Sequence, residues 1–175
     1  MTPRPLPHPQ PHPNLQAQAR LATPMGELTA AATANGLAGL WFDEQSHHPG
    51  LLRVDVDPDQ RWLAATARAL AAYFDGAAEP LQGLALDLHG TDFQRAVWLA
   101  LQALPRGSTA SYGEIAVAAG RPAAVRAAGA AIGRNPVSIL VPCHRVIGRN
   151  GSLTGYAGGL HRKETLLQRE GVLLL

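Results

Sequence analysis

The sequence predicts an α+β fold in two parts: a small N-terminal α/β domain with an antiparallel sheet, followed by a mainly helical C-terminal domain with a helix-turn-helix. Three observations carry this expectation. Between residues 19 and 42, short apolar runs are broken by turn dipeptides, the pattern of paired strands. From Thr91 onward the apolar residues return at helical spacing. Two of the short helices expected there are joined by Gly120-Arg121-Pro122, which has the form of a helix-turn-helix. The chain of 175 residues has room for one ordinary domain or two small ones. Its expected divisions are a disordered tail over 1–18, a structural domain over 19–89, and a C-terminal domain over 91–175 that bears the chemistry.

Residues 1–18 are rich in proline, lack a hydrophobic period, and hold His8 and His12 without the clustered spacing of a metal site. Pro24-Met25-Gly26 and Ala34-Asn35-Gly36 punctuate turns, the Asn-Gly pair being a strong hairpin signal. Leu28–Ala32 and Leu37–Phe42 then read as antiparallel strands. His47 and His48 fall in a polar loop and are expected to face solvent. Pro58 opens a helix through about Phe74, with Trp62, Leu63, Leu70 and Phe74 along one face, and Leu84–Leu88 returns as a strand. This half offers no acid pair, phosphate loop or ligand cluster, so its expected role is structural support. Thr91 or Asp92 caps the next helix, striped by Phe93, Val97, Trp98 and Leu101 and ended by Pro105-Arg106-Gly107. Ser111 caps a second helix, Tyr112–Ala119. Pro122 sits in the first turn of a third, running to about Gly133. The last spans about Leu160–Glu170 and stops at Gly171.

One cysteine excludes an intramolecular disulfide and any multi-cysteine zinc site, and points to a reducing cytosol. No apolar run approaches membrane-spanning length, so a soluble, intracellular, cytoplasmic protein with no membrane partner is expected. Residues 1–90 carry five Lys/Arg against nine Asp/Glu, whereas residues 91–175 carry ten against four. A basic C-terminal half suits a polyanion, nucleic acid above all.

The cysteine lies in Ile139-Leu140-Val141-Pro142-Cys143-His144-Arg145-Val146-Ile147, which reads as a buried strand with a polar centre. Pro142 stiffens the approach to Cys143, and the adjoining His144 and Arg145 are expected to favour thiolate. The third helix presents one polar side chain, Arg126, among alanines and glycine. It has little with which to read base edges, but its small residues suit close approach in a minor groove. On the last helix Lys163, Leu166, Leu167 and Glu170 share one face, so Glu170 points toward the core and needs a partner, with His144 the obvious candidate. That gives Cys143 as nucleophile, His144 as base and Glu170 as the group orienting the imidazole. In an extended segment, however, Cys143 and His144 would point to opposite faces.

Pro142-Cys143-His144-Arg145-Val146 resembles the active-site signature of the O6-alkylguanine-DNA alkyltransferases. The resemblance extends to Arg134-Asn135-Pro136, Ser111-Tyr112-Gly113-Glu114, Tyr156-Ala157-Gly158-Gly159-Leu160 and Glu170, strongly from about Thr91 to Gly171 and weakly over residues 20–90. It implies a single-turnover transfer of an alkyl group from O6 of guanine, and from O4 of thymine, in double-stranded DNA to Cys143. The protein would act as a monomer without metal or cofactor. A water would bridge Cys143 and His144, and Asn135 would hold the cysteine turn. Tyr112 would bind the flipped base and turn its 3′-phosphate. The Val146 carbonyl would accept from guanine's exocyclic amine. Tyr156, Ala157, Gly158 and Lys163 would complete the substrate site. Arg126 would take the place of the extruded nucleotide, with Ser111, Ala123 and Ala127 beside it on the DNA. Gly158 is expected to face the cleft, so that a tryptophan there would narrow it. The residues alone leave a helix-turn-helix regulator and a Cys-His hydrolase as other readings.

Overall fold

The computed structural model describes residues 11–172. Ten residues of the expected tail lie outside the described residues, and the remainder is ordered. His12 is buried, with its Nδ1 accepting from the Asn14 amide at 3.1 Å and its Nε2 3.5 Å from the Asp87 carboxylate. Strand β1 (Ala17–Thr23) begins inside the stretch expected to be disordered. Its inward positions, Ala17, Ala19 and Leu21, alternate with polar ones, but two alanines make a faint hydrophobic signal.

β2 (Gly26–Ala32), β3 (Leu37–Phe42) and a two-residue β4 (Asp55–Val56) complete a sheet of order β3-β2-β1-β4. The first three strands are antiparallel and β4 runs parallel to β1. β3 is buried throughout because its outer edge is covered by single bridges, Leu37 to Leu86 and Leu40 to Val137. The strand expected over Leu84–Leu88 is thus one bridge. In the β2–β3 turn, Gly36 is required by close approach and not by a left-handed backbone: an added Cβ would lie 2.6 Å from the Ala85 carbonyl oxygen.

Helix α1 (Arg61–Phe74) starts three residues after Pro58, where Gln60 Oε1 accepts from the Trp62 and Leu63 amides. α2 (Asp92–Gln102) and α3 (Tyr112–Ala118) each open on a capping box, Thr91 with Gln94 and Ser111 with Glu114. The strand β5 (Ala110–Ser111) precedes α3. α4 (Val125–Gly133) has no side-chain cap and begins three residues later than Pro122 predicts, leaving Ala123 in the turn. β6 (Val146–Ile147) pairs in parallel with β5, and α5 (Leu160–Arg169) ends with Glu170 as its C-cap.

The segment from Ile139 to Ile147 is not a strand. Ile139 is left-handed, with φ of 71°, Cys143–Arg145 forms one 3-10 turn, and only Val146 and Ile147 pair. Its apolar character reflects burial on every side, which hydrophobic periodicity does not distinguish from a central strand. Leu28, Leu40, Leu63 and Tyr73 from the sheet half join Val97, Trp98, Val141, Cys143 and Leu166 in one core, so the turn is packed between both halves.

Gly36→Ala should lower the free energy of unfolding by about 2 kcal/mol, because the new methyl must displace backbone at Ala85. Urea denaturation followed by far-UV circular dichroism measures this.

Candidate active site

Asn135 sits between α4 and Pro136, out of helical conformation, and its whole amide is used locally. Nδ2 donates to the Val141 carbonyl at 2.7 Å and to Cys143 Sγ at 3.1 Å, while Oδ1 accepts from the Val137 amide at 2.9 Å. Two of these bonds fix the backbone at Val137 and Val141, and the third holds the Cys143 side chain. The 3-10 turn then replaces the alternation of an extended chain, so Cys143 and His144 need not face apart.

Glu170 is buried and fully engaged. Its Oε1 accepts from Tyr73 Oη and His144 Nε2, both at 2.9 Å, and from Arg145 Nη2 at 3.0 Å. Its Oε2 accepts from Arg145 Nε at 2.7 Å. Burial alone would raise its pKa, but the bonds from His144 and Arg145 more than reverse this and hold the carboxyl below its ordinary range. An ionised carboxylate only accepts, so His144 Nε2 carries the hydrogen and Nδ1 keeps its lone pair. That Nδ1 is buried with no hydrogen-bond partner among the described residues. Burial also lowers the His144 pKa against the pull of Glu170, which leaves a neutral imidazole.

The expectation of a resting thiolate is overturned. Cys143 is 5% exposed, and burial raises its pKa more than the Asn135 bond and the Lys163 charge lower it. Arg145, expected to favour thiolate, is occupied by Glu170 and by the Leu104 carbonyl. The resting group is a thiol beside a neutral base.

Cys143 lines a cavity of about 300 Å³ together with Tyr112, Gly129, Gly133, Tyr156 and Ala157. The Tyr156 hydroxyl is buried without a hydrogen-bond partner among the described residues, and Tyr112 Oη donates to the Thr154 carbonyl at 2.9 Å. Lys163 is not on the cavity wall. It is fully buried beneath the loop, donating to the carbonyls of Thr154 at 2.8 Å, Gly155 at 3.1 Å and Val146. Burial brings its pKa down to about 8, with the Cys143 charge acting in the opposite direction. The Val146 carbonyl, expected to accept from guanine, is one of the three that Lys163 bonds. Gly158 is buried and does not line the cavity; a Cβ there would lie 2.8 Å from the Tyr156 ring and 3.1 Å from Phe42. Tryptophan at this position would collide with the core instead of narrowing the cleft, and Ala157 is the residue on the wall.

Ala123, Arg126 and Ala127 are exposed, opposite the inward-facing Ala128, Ala131 and Ile132 of α4. The Ser111 hydroxyl is committed to Glu114 in its capping box. Ser46 and His47 also line the cavity, although the sequence places them in a solvent loop of the other half; no local pattern signals a contact so distant in sequence. Gly129 and Gly133 had a readable signal, their i, i+4 spacing on one side of α4. Among the described residues no group of three or more His, Cys, Asp and Glu is placed to hold a metal ion.

A family model described as 6-O-methylguanine DNA methyltransferase, DNA binding domain, matches residues 92–172. The methylated-DNA–protein-cysteine methyltransferase of Mycolicibacterium paratuberculosis is 48% identical over 148 residues, 85% of this chain and 88% of that protein. The crystal structure of Mycobacterium tuberculosis OGT in complex with DNA superposes with a TM-score of 0.80 at 44% identity, covering 88% of this chain and 92% of that one. The Mycobacterium tuberculosis O6-methylguanine methyltransferase gives a TM-score of 0.78, also at 44% identity, over 89% and 92% of the two chains.

Because the Glu170 pKa is lower in the folded chain than in the unfolded one, its stabilising contribution is complete above the unfolded value, about pH 4.3, and is lost as pH falls below it. Glu170→Gln should therefore flatten the acid limb of stability against pH. At neutral pH it should cost about 3 kcal/mol, since it leaves Arg145 buried without its counter-charge. Urea midpoints between pH 3 and pH 7, as rough limits of the titration, measure both effects.

Proposed function

The chain belongs to the methylated-DNA–protein-cysteine methyltransferase family, and on that premise we propose that Cys143 Sγ takes the alkyl group from O6 of guanine held in the adjoining cavity, a direct reversal of the damage. One observation carries the reading: a buried thiol lies on the cavity wall, bonded by Asn135 and one residue from a neutral imidazole oriented by Glu170.

The thiol proton passes through a water to His144 Nδ1, the nitrogen that Glu170 leaves unprotonated. Sγ attacks the alkyl carbon in line with the C–O6 bond. The S–C bond forms as the C–O6 bond breaks, and its electron pair stays with guanine. The base takes up a proton as it leaves, assisted by the buried Tyr156 hydroxyl, so the net change moves the thiol proton to guanine and the alkyl group to sulfur. Burial of Cys143 keeps the resting thiol protonated, which limits reaction with other electrophiles. A thioether is not hydrolysed under these conditions, so each molecule acts once.

Guanine in duplex DNA reaches this cavity only when extruded. The exposed Arg126 on a helix otherwise nearly free of long side chains supports minor-groove entry, with that guanidinium filling the gap in the stack. The same reading favours a monomer acting in the cytoplasm, where a lone thiol stays reduced. O4-alkylthymine is a second substrate in this proposal. No helix among the described residues is long and apolar enough to cross a membrane.

Incubation with excess O6-methylguanine duplex should add one methyl per molecule, mapped to Cys143 by peptide mass spectrometry, and then stop. Repeated turnover, or label on another residue, would overturn the transfer. Cys143→Ala should still bind duplex DNA, with affinity that falls as salt rises. Arg126→Ala should slow transfer from duplex by roughly tenfold or more while leaving transfer from a single-stranded oligonucleotide nearly unchanged, because only the duplex needs extrusion. Equal slowing on both substrates would remove Arg126 from that role.

A further inference from the structure

The loop from Thr154 to Gly158 places Gly155, Tyr156 and Ala157 on the cavity wall together with residues of α4, and the structure shows what holds it. On one side, Lys163 binds the carbonyls of Thr154 and Gly155 from within the C-terminal half. On the other, the attachment comes from the sheet half. Arg162 Nη1 donates to the Gly158 carbonyl at 2.9 Å, and its Nε donates to the Met25 carbonyl in the β1–β2 turn at 3.0 Å. The guanidinium also stacks over Phe42, 4.5 Å from the ring centroid, at the end of β3. Next to it, the Ser46 amide donates to the Ala157 carbonyl at 2.9 Å. Gly158 packs against Phe42 closely enough that a Cβ would lie 3.1 Å from the ring. Adjacent residues of α5 thus grip the two ends of a short loop whose middle residue is Tyr156.

We propose that Arg162 is a positioning residue for the transfer reaction: by tying the Gly158 carbonyl to the β1–β2 turn and to Phe42, it sets the distance between the Tyr156–Ala157 wall and Cys143. The sheet half then contributes to chemistry by holding the substrate wall, beyond supporting the core. The guanidinium suits this task, since its planar fork serves two carbonyls in fixed directions while its face covers an aromatic ring. Asp43, held below its ordinary carboxylate range chiefly by its bonds from Arg20, also feels the Arg162 charge. A wall displaced by even a fraction of an ångström misaligns an in-line displacement, which is the step most sensitive to position.

The proposal rests on the transfer reading, and wild-type protein is its control: no transfer by wild type would refute that reading, not this one. Arg162→Met keeps an apolar stem over Phe42 and removes both donors; Arg162→Lys keeps a donor and is the conservative variant. Single-turnover transfer from O6-methylguanine DNA separates two quantities, the amplitude reporting the folded, reactive fraction and the limiting rate constant reporting geometry. Arg162→Met is expected to lower the limiting rate roughly tenfold on single-stranded and duplex substrates alike, with affinity for undamaged duplex unchanged. Arg162→Lys is expected to fall between it and wild type. A limiting rate within about twofold of wild type, a loss of amplitude alone, or slowing confined to duplex would each overturn the assignment. If Arg162→Met does not accumulate as folded protein, Arg162→Lys gives the same decision.

Discussion

Glu170 ends α5 inside the protein, where a carboxylate without partners would be too costly to keep charged. It stays charged because four hydrogen bonds reach it: one from Tyr73 on α1, one from His144 and two from Arg145 in the 3-10 turn. Those bonds do more than satisfy an acid. They dock the last helix against the turn, select the tautomer of His144, and draw Arg145 away from the thiol. The sheet half enters the same network through Tyr73. Remove the carboxylate, and the base loses its orientation and a buried guanidinium loses its counter-charge.

The thiol environment follows from this arrangement. A cysteine followed by His and Arg in sequence suggests an activated thiolate, yet both side chains turn toward Glu170, and the imidazole is neutral. Asn135 and the more distant Lys163 are the groups that favour the charged sulfur, and burial outweighs them. Sequence adjacency is a poor guide to electrostatic adjacency wherever the backbone turns, and here a single 3-10 turn sends Cys143 to the cavity but both His144 and Arg145 to Glu170.

Much of the site was legible, for different physical reasons. Helical spacing placed Glu170 on the inner face of α5 beside Lys163, and Pro136 forced Asn135 out of α4. What periodicity missed was conformation within a fully buried segment: Ile139–Ile147 is apolar because it is enclosed, and enclosure looks the same whether the chain is extended or turned. The direction of Gly158 was lost in the same way, since an irregular loop has no period from which to infer a face. Strand β1 escaped because alanine marks its buried face weakly. The cavity contribution of Ser46 and His47 is a long-range contact, and no local rule reports it.

The bonds between Tyr73 and Glu170, and the bridge of Leu40 to Val137, join residues far apart in the chain. Such contacts form late, since the entropy of closing long loops must be met before they can contribute. During vectorial synthesis the sheet and α1 emerge long before α5, and α1 then carries an apolar face and a tyrosine hydroxyl whose partner does not yet exist. The imidazole beside Cys143 is oriented only when α5 arrives. Chemical competence is therefore acquired only after α5 has emerged, and without that helix the chain presents its thiol without the machinery to use it.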